Sequence, residues 1–317
     1  MEKINGMIFC LSSRKKCLKK SLESLYENYN NKFDYPVYIY YFDDIYDDQD
    51  YVNDIKNTIN NKINFYKIDY GIPCFLEKKD LFYKRSNNYA RNFGVQRTGY
   101  LHMINFFVNS YYYPGTHLKN YDFCFHFDDE TLWTKKIEKD FFKILQEEKK
   151  IISSFNTYHY PPEGASSRTR NTTENLYEFC VDYIKKYNIS KKNTKYFKAF
   201  ESKNNFYKNY FLITDSQIYN NNYFKSEEWK SWITEINRSG GIYKYRWGDH
   251  ELNGLFWAIH YDEEYLSIND NKNRFSVTSN NDLGINLTEL RKIQRFAPGV
   301  KNNNKKLSDK ECEYLFH

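Results

Sequence analysis

Asp128-Asp129-Glu130 is the run in this chain with the clearest capacity for chemistry. Two acids one residue apart, Asp128 and Glu130, can hold a divalent metal against a diphosphate. Their hard oxygens suit Mg2+ or Mn2+. A solvated acidic turn is the commonest fate of such a run, and spacing alone does not exclude it. Two other places carry polar groups with chemical reach. Ser12-Ser13-Arg14 follows an apolar run and can meet the base or phosphates of a nucleotide. A plain strand–helix connection accounts for it equally well. Arg246-Trp247-Gly248-Asp249 precedes an apolar stripe. Asp249 is placed to cap a helix there and is also a candidate catalytic carboxylate, and Arg246 and Trp247 make the turn suited to touching a ligand.

The elements that must position these groups alternate. Met7 to Leu11 is a continuous apolar run, as in a strand buried on both faces. Leu18, Leu22, Leu25, Tyr26 and Tyr29 then line one helical face. Val37 to Phe42 reads as a second strand, Val52, Ile55 and Ile59 as a helix, and Asn64 to Ile68 as a third strand. A β-α-β-α-β start predicts an α/β fold with a mostly parallel, doubly wound sheet and helices on both faces. In such sheets ligands bind outside the carboxyl ends of the strands. Tyr121 to Asp128 is the clearest strand, and the acids come where it ends. Tyr100, Met103, Phe107 and Tyr111 fit a helical stripe, and Leu132 to Glu147 reads as helix. Further helices follow at Leu176 to Tyr187, Trp229 to Ile236 and Leu252 to Ile259, with Gly240-Gly241 as a stop between the last two. We expect one catalytic domain over residues 1–270, with a nucleotide-binding half to about residue 130 and an acceptor-binding half after it. Residues 271–317 read as a polar tail.

The bulk numbers limit the alternatives. In 317 residues, 20% are aromatic and the net charge is +6. The aromatic load suits packing on sugar rings, though Asn, Lys, Tyr and Ile are abundant together, as AT-rich codons produce. Basic stretches such as Arg14-Lys15-Lys16 and Lys301 to Lys306 are short, so no nucleic-acid footprint is expected. The six cysteines form no CxxC pair and read as free thiols. No signal or anchor segment is read in the chain, which predicts a cytoplasmic protein. A viral assembly compartment, outside any secretory pathway, fits that expectation.

Tyr100-Leu101-His102-Met103, the strand ending in Asp128-Asp129-Glu130, and Gly240-Gly241-Ile242-Tyr243-Lys244-Tyr245-Arg246-Trp247-Gly248-Asp249 occur in that order. Together with Lys32-Phe33-Asp34-Tyr35-Pro36 they resemble the fungal Kre2/Mnt1-type α-1,2-mannosyltransferases. That family carries Y-R-H-M, E-P-D, G-G-F-F-Y-E-R-W-G-D and K-F-x-Y-P. The resemblance covers roughly residues 5 to 270. It implies a GT-A fold, a GDP-mannose donor, a Mn2+ ion, a glycan or glycoprotein acceptor, and transfer with retained configuration. Carried over by position, Asp128 is the metal ligand with Glu130 beside it, and Tyr100 is the active-site tyrosine. Ser12, Ser13 and Arg14 lie where the family binds guanine nucleotide. Two departures stand out. The family's proposed nucleophilic Glu is replaced by Leu212, leaving Asp215 as the fallback carboxylate. The family's metal-binding His has no counterpart near Ile268 to Phe275. A UDP-sugar transferase and an inactive nucleotide-sugar-binding relic remain the alternatives.

Overall fold

The computed structural model describes residues 4–77, 79, 81, 98–133, 136–154, 157–159, 173–190, 210–212, 216–261, 266–268, 274–276 and 305–316. Strand β1 (Gly6–Leu11) is buried along its whole length, as its unbroken apolar run requires. Helix α1 (Lys15–Leu25) follows and runs into a π-helical turn, Tyr26–Asn30. Next come β2 (Val37–Tyr41), helix α2 (Gln49–Thr58) and β3 (Ile63–Lys67). Asp48 caps α2 by accepting from the Tyr51 amide. Helix α3 (Thr98–Asn109) leads to β4 (Phe123–Phe127). Beyond β4 lie β5 (Thr131–Trp133), α4 (Phe141–Glu147), β6 (Ile152–Ser154) and β7 (Thr157–His159). Then follow α5 (Leu176–Lys186), β8 (Tyr210–Leu212) and β9 (Ser216–Asn220). Helices α6 (Glu227–Ser239), α7 (Gly241–Tyr245) and α8 (Asp249–His260) precede β10 (Leu266–Ile268) and β11 (Arg274–Ser276).

Seven strands form the central sheet in the order β10-β6-β9-β4-β1-β2-β3. β3, β2, β1 and β4 are mutually parallel, whereas β9 runs antiparallel to both β4 and β6. The expected doubly wound sheet is therefore present with one reversed strand inside it. Side chains alternate between the two faces. Ile8, Cys10, Phe123, Phe125 and Phe127 pack with residues of α1, α2 and α4. Met7, Phe9, Cys124 and Tyr219 pack with residues of α3, α5, α6 and α8 on the other side.

Three expectations change. The segment from Leu132 to Glu147 is not one helix, because Thr131–Trp133 pairs antiparallel with β11 and, among the described residues, only Phe141–Glu147 is helical. Of the Tyr100, Met103, Phe107 and Tyr111 stripe, Met103 and Phe107 are only partly buried against the core, and Tyr111 is buried but lies beyond the end of α3. That helix buries Leu101, His102, Ile104, Asn105 and Val108, and Tyr100 remains 38% exposed. Asp249 is not the helix cap. Gly248 occupies the N-cap and Asp249 is the first residue of α8. The cysteines are free thiols, as expected. No described helix is long and apolar enough to cross a membrane.

Residues 305–316 pack back on the domain. The backbone of Ile72 bonds both Lys305 and Leu307, at 2.8 Å each. Asn237 donates at 2.9 Å to the carbonyl of Leu315 and at 2.9 Å to Asn109 Oδ1, and Asn105 donates to Tyr314 at 3.1 Å. Asn237→Ala removes a buried donor from two acceptors. The expected cost is about 1–3 kcal/mol, read from urea denaturation. A loss below ~0.5 kcal/mol would mean that water replaces the amide.

Candidate functional site

The site forms where β1 and β4 end. Their pairing runs to Phe9 opposite His126. Three more residues along each strand bring Ser12 beside Asp129. Ser12 Oγ donates to Asp129 Oδ2 at 2.8 Å, and the same oxygen accepts from the amides of Ser13 (3.0 Å) and Arg14 (3.1 Å). Arg14 Nε donates to Asp129 Oδ1 at 2.8 Å, and its two terminal nitrogens pair with Asp129 and Glu130. Burial acts to lower the Arg14 pKa, but Asp129 and Glu130 more than reverse this and hold the guanidinium charged. Tyr46 meets Ser12 Oγ at 2.6 Å from the other side, and the Ser12 amide reaches the Tyr40 carbonyl at 2.8 Å.

The three acids therefore differ. Asp129 is 1% exposed and Glu130 7%, and both face Arg14. The Asp128 side chain is 31% exposed, with Nε2 of the buried His126 at 3.4 Å from its Oδ1. Of the two acids paired by spacing, Glu130 is thus engaged by Arg14 and Asp128 is the more exposed. No group of three or more His, Cys, Asp or Glu residues able to hold a metal occurs among the described residues. Beneath them, burial followed by Asp129 and Asp128 pushes the Cys10 thiol up, which keeps it neutral.

A second set comes from the α6–α7–α8 segment. Ser226 caps α6 by accepting from the Trp229 amide at 3.1 Å, and Glu227 and Glu228 occupy its first turn. Gly240 ends α6 at φ 68°, a left-handed conformation that favours glycine. Arg246 ends α7 at φ 63°, which a residue with a Cβ adopts at a cost. This turn sets its guanidinium carbon 4.7 Å from the centre of the Tyr100 ring. Arg246 Nε is buried and has no hydrogen-bond partner among the described residues. Desolvation pushes the Tyr100 hydroxyl up to about 12 against the opposing charge of Arg246, and Asp249, Glu251 and Asp128 add to the rise. The hydroxyl is thus a proton donor at neutral pH, within electrostatic reach of Asp128. Asp249 is 4% exposed. Burial raises the Glu251 carboxyl, with His250, its own amide and Arg246 opposing and Asp249 adding.

Trp247 lies in the core rather than on the rim. It is 1% exposed, donates from Nε1 to the Glu174 carbonyl at 2.8 Å, and packs on Phe179 and Tyr245. A Cβ on Gly241 would lie 2.0 Å from its ring. Asp215 falls outside the described residues. Two acids were given no separate role by the sequence reading. Asp129 is passed over by a rule that pairs acids one residue apart, and Glu251 looks like an ordinary first-turn helix acid. The available signal for Asp129 was its place at a strand end facing a Ser-Ser-Arg turn.

Known proteins resemble this chain in sequence and in fold. A Schizosaccharomyces pombe protein named O-glycoside alpha-1,2-mannosyltransferase homolog 4 is 24% identical over 280 residues, covering 78% of this chain and 62% of that protein. The chain thus spans about three-fifths of that relative. The crystal structure of core-mannan synthase A from Aspergillus fumigatus, in a Mn/GDP form, superposes with TM-score 0.70 at 14% identity, over 83% of this chain and 72% of that one. Ktr4p from Saccharomyces cerevisiae, in complex with GDP, gives 0.68 at 19% identity, over 98% and 84%. The fold is that of these GT-A-like enzymes. The model of the family described as glycolipid 2-alpha-mannosyltransferase matches residues 1–267, and the chain belongs to that family.

Proposed function

We propose that this chain is a glycosyltransferase that moves mannose from GDP-mannose to a hydroxyl of a glycan or glycoprotein, with retention of configuration. The observation that carries the reading is the part-exposed Asp128 carboxylate at the carboxyl end of β4, whose charge reaches the Tyr100 hydroxyl of the Arg246–Tyr100 pair. Family membership and the GDP-bound forms of the solved relatives support it.

The residues divide the task. Asp128 offers an accessible hard oxygen fitted to Mn2+ or Mg2+, with diphosphate and water completing the shell. When bound, such an ion supplies positive charge against the departing diphosphate. Arg246 presents a buried N–H with no partner among the described residues and a positive charge suited to a phosphate oxygen. Tyr100 shields that guanidinium and keeps its own proton. The family's nucleophile position carries Leu212, a hydrocarbon. We therefore favour attack by the acceptor hydroxyl on the face the diphosphate leaves, with the proton passing to a diphosphate oxygen. Asp215 is the one alternative carboxylate that the sequence offers for the attack.

Thermal melting with GDP, GDP-mannose, UDP and UDP-glucose, each with and without Mn2+, tests the donor. Saturating GDP with Mn2+ should raise the midpoint by about 5 °C, from ~2.7 kcal/mol of linkage at a hundredfold excess over Kd. EDTA should remove both this shift and mannose transfer. Stabilisation by UDP but not by GDP would end the mannosyl reading. Binding without turnover would leave a nucleotide-sugar-binding relic.

A further inference from the structure

We propose that Asp129 is a positioning residue of the donor site. Its buried carboxylate builds the Ser12-Ser13-Arg14 turn into a preformed rim before any nucleotide arrives. The proposal rests on the nucleotide-sugar reading of that site.

The main-chain pairing of β1 and β4 stops at Phe9 and His126. Beyond that point the Asp129 side chain makes the connection. One oxygen collects Ser12 Oγ and the amides of Ser13 and Arg14, and the other collects Arg14 Nε. A carboxylate accepting several charge-assisted bonds at 1% exposure is held in one orientation. It also serves α1. Arg14 is the N-cap residue of that helix and makes no side-chain cap bond. Asp129 receives the amides at the helix entry and places negative charge at the positive end of the helix. Ser12 is fixed from three directions, by Asp129, Tyr46 and Tyr40.

Two consequences follow. The amides of Ser13 and Arg14 face Asp129, so they are not the donors that hold a phosphate. The Arg14 guanidinium is matched to two carboxylates, so it acts by tying Asp129 and Glu130 to the turn and stiffening it. Proline, which fills this position in the resembled E-P-D pattern, has no group able to do this. The contribution of Asp129 is therefore to donor affinity, through the shape of the rim, and not to the chemical step once the donor is bound.

The test compares wild type, Asp129→Asn and Ser12→Ala as full-length proteins, by donor KM, kcat and the Kd for GDP. Asp129→Asn keeps the shape but loses the charge and turns an amide toward Arg14. Its KM for GDP-mannose and its Kd for GDP should rise about 10- to 100-fold, with kcat within about threefold of wild type. Ser12→Ala, which removes one bond and leaves the carboxylate, should raise both about three- to tenfold. A purely structural role would lower the active fraction, so that kcat falls while KM and Kd stay put. That pattern in either variant overturns the proposal, as does wild-type affinity in Asp129→Asn. If Asp129→Asn does not fold, Ser12→Ala decides between the same two outcomes. Wild type that binds UDP rather than GDP removes the mannosyl reading and leaves the proposal to be read with UDP. Wild type that binds neither nucleotide removes both.

Discussion

Asp128→Asn is expected to lower kcat/KM for mannose transfer about 10^3-fold while leaving the fold intact. The side chain is 31% exposed at a strand end, so its charge can go without burying an unpaired group. The loss falls on the transition state, where charge builds on the leaving diphosphate and the substituted amide is a poor partner for a hard cation. Glu130→Gln should behave differently. It leaves Arg14 with one carboxylate fewer at a site where Glu130 is 7% exposed, so stability should suffer along with activity. Steady-state kinetics across a Mn2+ titration, with melting curves for each variant, separate the two. An Asp128→Asn enzyme within tenfold of wild type at saturating Mn2+ would remove Asp128 from the donor site.

Gly241→Ala is expected to destabilise the protein by about 3 kcal/mol, the upper end for overpacking a core. The new methyl carbon would stand 2.0, 2.2 and 2.5 Å from three atoms of the Trp247 ring. That ring cannot swing clear, since its nitrogen is tied to the Glu174 carbonyl and its faces meet Phe179 and Tyr245. The strain should also reach Arg246, the residue just before Trp247, and weaken nucleotide binding. Urea midpoints combined with GDP affinity give both readouts. A loss under ~0.5 kcal/mol would show that the α7 turn relaxes freely.

The β-α-β-α-β half was legible because each element carries a single period and a clear stop. β1 is apolar throughout and α1 buries Leu18, Leu22 and Leu25. β9 was not legible. It opens with Ser216 and Gln217, both fully buried, and polar residues inside a sheet look like loop in a one-dimensional reading. β5 was lost for a related reason. Three residues carry too little periodicity to compete with the helical pattern that follows them. The helical stripe through Tyr100 was a plausible core face. The other side of α3 won because Leu101, Ile104 and Val108 fill the space beside the sheet.

The site was legible in outline only. Spacing selected Asp128 and Glu130 as a pair and ignored the acid between them. Past a strand end the side chains no longer alternate, and their directions follow from tertiary partners. Here the partner is a turn more than a hundred residues earlier, with Ser12 and Asp129 separated by 117 positions. The R-W-G-D motif was read as one contact surface. The structure separates its members, with Arg246 against Tyr100, Trp247 in the core and Asp249 starting a helix.

The return of residues 305–316 to the loop around Ile72 bears on how the protein is made. Cys74 and Cys312, whose amide and sulfur meet at 3.2 Å, lie 238 positions apart. At about 5–20 residues per second, a ribosome reaches the second roughly 10–50 s after the first. For most of that interval the nascent chain presents Ile72, Leu76 and, once made, Tyr113 without the Leu307 and Tyr314 side chains that later adjoin this region. The layer in which Tyr243 bridges His102 and the Gly71 carbonyl must likewise await chain made long after its first half. Translation speed and chaperone supply should therefore govern the yield of this protein more strongly than they would for a fold closed by neighbouring segments.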